Sequence, residues 1–88
     1  MSVFIGGSAY NMVRDVADGY VLATERTFRN FGPKELGEFV FEANRLLTEV
    51  RADQPAQTDT MAIQKRQRRM QRLVQAIAIV SAAQSRRS

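Results

Sequence analysis

Apolar residues recur at three-and-four spacing along most of this chain, the period of an amphipathic helix and not of a strand. The cleanest stretch runs from Pro33 to Arg51. Leu36, Phe39, Val40, Ala43, Leu46, Leu47 and Val50 form its stripe, and Glu35, Glu38, Glu42, Arg45 and Glu49 lie off it. Phe41 also falls off the stripe and is expected as an exposed hydrophobic contact. Upstream, Val13, Val16, Ala17, Tyr20, Thr24, Thr27, Phe28 and Phe31 predict a first helix from about Ser8 to Asn30, with Ser8 as its N-cap. Val16, Tyr20 and Phe28 are expected in the core. Gly19 interrupts this pattern. It is either a tolerated weak spot, costing roughly 1 kcal/mol relative to Ala, or, with Ala17 and Ala23, a place where another helix comes close. Gly32-Pro33 punctuates the chain: Gly suits a helix end and Pro the first turn of the next helix. A loop over Ala52–Thr58 contains Pro55, and Thr58 or Asp59 caps a third helix predicted to reach about Gln84.

The third helix is the unusual one. Its segment Gln64–Arg72 reads QKRQRRMQR. At ~100° per residue, Lys65, Arg68, Arg69 and Arg72 share an arc of about 100°, with Ile63, Met70, Val74 and Ile77 roughly opposite and Leu73 and Val80 at the near side. The expectation is a basic face opposite a core face. Arg66 sits toward the apolar side, where its stem packs and its head reaches a carboxylate. Beyond Arg72 the basic line continues as Ala76, Ile79 and Ala83, so Leu73–Ala83 is apolar nearly all round. Such a helix is normally buried on every side. A partner chain supplies that burial in the expected arrangement, a two-fold self-association centred on Ala76, Ile79 and Ala83. The alternative is burial by the first two helices and the Val3-Phe4-Ile5 arm.

These elements make an all-α protein: a helical hairpin plus a long third helix, three-helix-bundle-like and completed by oligomerisation. Residues 1–88 form one small domain, with 1–7 a flexible arm and 85–88 a frayed basic tail. A chain of 88 residues buries only a modest core, and such domains gain stability from oligomers, metals or disulfides. There is no Cys or His, which removes disulfides and the usual zinc ligands, and no EF-hand-like loop is present. No cofactor or metal is therefore expected, and a homo-oligomer is. Met1–Ile5 has no basic leader region, and the longest apolar stretch is well short of the ~20 residues that span a bilayer. A soluble, cytoplasmic protein without a transmembrane segment is expected.

Charge sharpens the functional choice. Residues 1–57 hold six Lys/Arg against eight Asp/Glu, a net −2; residues 58–88 hold seven against one, a net +6. A basic third on a slightly acidic body suits an anionic partner. The candidate binding residues are Lys65, Arg68, Arg69 and Arg72, which either stay solvated, dock on protein carboxylates or track phosphates. Catalytic residues are not evident. There is no His or Cys for base or nucleophile work, no Walker or dinucleotide glycine pattern, and Asp15 and Asp18, three apart, read as surface charge. The expected function is a non-catalytic helical interaction protein, an assembly subunit or adaptor that self-associates and binds an acidic or protein partner. The alternative is a nucleic-acid-binding accessory protein using the basic face of the third helix.

Overall fold

The computed structural model describes residues 3–87, so Met1 and Ser2 of the arm and Ser88 of the tail lie outside the described residues. Three α-helices are present: α1 (Ala9–Ala17), α2 (Pro33–Ala52) and α3 (Thr60–Arg87), with a 3₁₀ turn at Arg26–Phe28 and no strand among the described residues. α2 and α3 form a hairpin with the most extensive contact, and α1 packs on both. At 1.5 Å per residue the 28 residues of α3 span about 42 Å, nearly the full 45 Å of the molecule. The helix runs on through residues 85–87, where a frayed tail was expected.

The local signals for the helix starts are realised. Ser8 Oγ accepts from the Asn11 N–H at 3.1 Å, and Asp59 Oδ1 accepts from the Ala62 N–H at 3.0 Å. Gly32 is the extended N-cap of α2 and Pro33 its first residue, where a missing N–H costs nothing.

The first helix is much shorter than its apolar pattern predicts. It ends at Ala17, because Asp18-Gly19 closes it with a Schellman turn. Gly19 takes φ +86°, its N–H bonds Val16 O at 3.2 Å, and the Tyr20 N–H bonds Asp15 O at 2.8 Å. Neither sequence reading of Gly19 anticipated this left-handed cap, although a side chain, that of Arg72, does approach it closely. The chain then loops to the 3₁₀ turn. Thr24 and Thr27, read as members of a helical stripe, use their hydroxyls on the loop instead. Thr27 Oγ1 donates to Leu22 O at 2.9 Å and accepts from the Thr24 N–H at 3.1 Å.

One core gathers Met12, Val13, Val16 and Ala17 of α1, Phe28 and Phe31 of the connection, Leu36, Phe39, Ala43, Leu46, Leu47 and Val50 of α2, and Leu73, Ala76, Val80 and Ala83 of α3. The predicted α2 stripe is buried, except that Val40 is half-buried at the core's edge. Tyr20 was expected inside and is 83% exposed, because the Schellman turn swings it off the α1 stripe. Phe4 of the arm packs edge-on against Phe31, Phe31 against Phe28, and Phe28 against Phe39, with centroids 5.2, 5.2 and 4.9 Å apart. This chain of rings ties the N-terminal arm and the 3₁₀ turn to α2.

Candidate functional site

The core face of α3 lies between the two arcs read from its sequence. Its buried residues are Leu73, Ala76, Val80 and Ala83, a three-and-four stripe that continues back through the half-buried Arg69 and Arg66. Val74, expected in the core, is 49% exposed, and Ile63, Met70 and Ile77 are only partly covered. The line from Lys65 to Ala83 therefore runs along one edge of the core and not opposite it. Ala76 and Ala83, expected at a self-association contact, are buried within the chain, and Ile79 packs against the same core. The intramolecular alternative accounts for these positions in part: the three helices share one core with Phe4 of the arm packed against it, while Val3 and Ile5 are exposed. Phe41 is 62% exposed, as expected.

Two of the basic residues, Arg66 and Arg72, hold helix ends. Arg66 reaches across the hairpin. Its Nε donates to Val50 O at 3.1 Å and its Nη2 to Arg51 O at 2.9 Å. These carbonyls belong to the last turn of α2, which has no intrahelical donors for them. The expected carboxylate partner is replaced by the negative end of a helix dipole. Arg72 treats α1 in the same way: Nη1 donates to Ala17 O at 3.1 Å, and the guanidinium lies flat over Gly19. A Cβ on Gly19 would come within 3.0 Å of Arg72 Cζ. Arg69 Nε lies 3.2 Å from Asp18 Oδ1, an ion pair without an aligned hydrogen bond, its side chain 23% exposed. Further along, Arg86 pairs with Glu25 at 3.3 Å, both largely exposed. That pair contributes little.

Two of the four expected anion-binding residues, Lys65 and Arg68, keep their charges facing solvent without a hydrogen bond or ion pair among the described residues. All four still line one recess of about 340 Å³, together with Asp18 and Tyr20. The sequence reading missed Tyr20 as a site residue, since only the end of α1 exposes it. On the other side of Arg72 a smaller recess of about 180 Å³ is lined by Val21, Leu22 and Gln75 among others.

A second surface feature is the outward side of α3. Residues 73–85 contain no charged side chain. Val74, Gln75, Ala78, Ser81, Ala82 and Ser85 are its exposed members. Next to them Gln67, Met70 and Gln71 join Val74 and Gln75 around an open, mainly apolar depression. Among the described residues no group of three or more carboxylates could hold a metal ion, and no helix is long and apolar enough to cross a membrane. Set against known proteins, the chain matches no family model, no curated protein and no solved structure.

Proposed function

We propose that this chain is a non-catalytic helical interaction protein that self-associates through the outward face of α3. The observation that carries the reading is the uncharged surface of α3 from Val74 to Ser85. A solvated helix face in a small protein normally carries charges of both signs. A surface that meets its own copy across a two-fold axis gains from having none, since each charge there would face a like charge or be desolvated. Val74 supplies apolar area, and Ala78 and Ala82 are small enough for close helix approach. Ala76, Ile79 and Ala83 then contribute to the fold of each chain and not to the contact.

Sedimentation equilibrium on the unmodified chain tests this, with two variants. Val74→Glu combined with Ala78→Glu is expected to give a folded monomer whose melting temperature no longer depends on protein concentration. Ile79→Asp is expected to unfold the chain itself, because it places a charge against the core. A stable monomer at high micromolar concentration for the unmodified chain would refute self-association.

A further inference from the structure

The recess at the end of α1 combines features that the self-association reading leaves unused. The Schellman turn places Tyr20 at the position that usually packs against the residue five before it. That residue is Asp15, which gives the ring no apolar partner, and Tyr20 stands 83% exposed. Its backbone is held by the 2.8 Å bond to Asp15 O, and Arg72 braces the turn from above. The recess beside the ring holds four cations and one carboxylate, Asp18, which Arg69 already neutralises. Lys65 and Arg68 are left facing solvent. An exposed aromatic ring on a fixed turn, beside cations without partners, offers a base a surface to stack on and its phosphates a counter-charge.

We propose that this recess binds single-stranded nucleic acid, with a base stacked on Tyr20 and the adjoining phosphates on Lys65 and Arg68. The smaller recess across Arg72, lined by Val21, Leu22 and Gln75, receives the neighbouring nucleotide. A duplex fits less well. Its bases are already stacked and cannot use the ring, and two solvent-facing cations neutralise few of its phosphates. An acidic peptide would use the cations and leave the ring idle. The two surfaces share Gln75 at their border, but Tyr20, Lys65 and Arg68 lie outside the Val74–Ser85 contact, so either proposal can fail without the other.

Tyrosine fluorescence tests it, because the chain has no Trp and two Tyr. In a Tyr10→Phe background the signal reports Tyr20 alone. Titration with a short oligothymidylate at low salt is expected to quench it saturably. Tyr20→Ala, read by anisotropy of a labelled oligonucleotide, is expected to weaken binding about 5- to 150-fold. Lys65→Gln with Arg68→Gln should reduce the slope of log affinity against log salt by about 1.4, at ~0.7 per single-strand phosphate. Circular dichroism verifies that each variant is folded. Absence of quenching and of binding at low salt overturns the proposal. So does duplex binding that is at least as tight and indifferent to Tyr20→Ala.

Discussion

Arg72 and Arg68 lie on one face of one helix, and among the described residues only Arg72 has a partner. Asp18, Gly19 and Tyr20 donate to the carbonyls of Arg14, Val16 and Asp15, which leaves the carbonyl of the buried Ala17 for Arg72 at 3.1 Å. Arg72→Met keeps most of the aliphatic stem and removes this donor. A hydrogen bond from a charged group contributes about 1.5–3 kcal/mol. Arg72 is half-buried, so water can partly replace the lost donor, and a loss near the lower end of that range is expected. In a domain of this size each kcal/mol moves the melting temperature by roughly 4–8 °C. Arg68→Met, without a partner to lose among the described residues, should stay within about 0.5 kcal/mol of the parent. Urea denaturation followed by circular dichroism measures both. Gly19→Ala completes the set. Its positive φ costs roughly 1–2 kcal/mol in an L-residue, and its new Cβ would meet Arg72 Cζ at 3.0 Å. Removing the guanidinium relieves the second cost but not the first, so the double variant should be less destabilised than the sum, by about 0.5 kcal/mol or more. Equal effects of Arg72→Met and Arg68→Met would refute the capping role, and strict additivity with Gly19→Ala would refute the contact.

Other consequences follow from burial and caps. Leu47→Ala and Leu73→Ala are each expected to cost about 2–5 kcal/mol in urea unfolding, whereas Val74→Ala next door should cost under about 0.5 kcal/mol in the isolated monomer. A Val74→Ala loss as large as that of Leu73→Ala would mean that the core face of α3 is the one read from its sequence. Asp59→Ala removes the acceptor for the Ala62 N–H and should lower stability by about 0.5–2 kcal/mol, with Asp59→Asn close to the parent. A thermal scan of Asp59→Ala indistinguishable from the parent would mean that this cap is idle.

What could be read along the chain was what neighbouring residues decide between themselves. The α2 stripe, the Ser8 and Asp59 caps and the Gly32-Pro33 junction depend on contacts within four residues, and periodicity and hydrogen-bonding chemistry state them directly. The end of α1 was also local, carried by Asp18-Gly19. That signal competes with Tyr20, Thr24 and Phe28, which continue an α-helical period that the chain does not use as an α-helix. The candidate anion site was legible as a set of residues, Lys65 to Arg72, but not as a division of labour among them.

Tertiary structure alone decided which side of α3 faces inward. From Leu73 to Ala83 only Gln75 and Ser81 are polar and nothing is charged, so a wheel separates a core face from an outer one poorly. The choice rests on long-range contacts. Arg66 finds the end of α2 at a separation of 16 and 15 residues, and Arg72 finds the end of α1 at a separation of 55. A flexible arginine stem reaches any carbonyl that the fold brings near, and nothing in its own sequence neighbourhood says which. In the folded chain Ala76, Val80 and Ala83 turn into the core, Val74 turns outward, and Tyr20 is left standing beside Lys65 and Arg68.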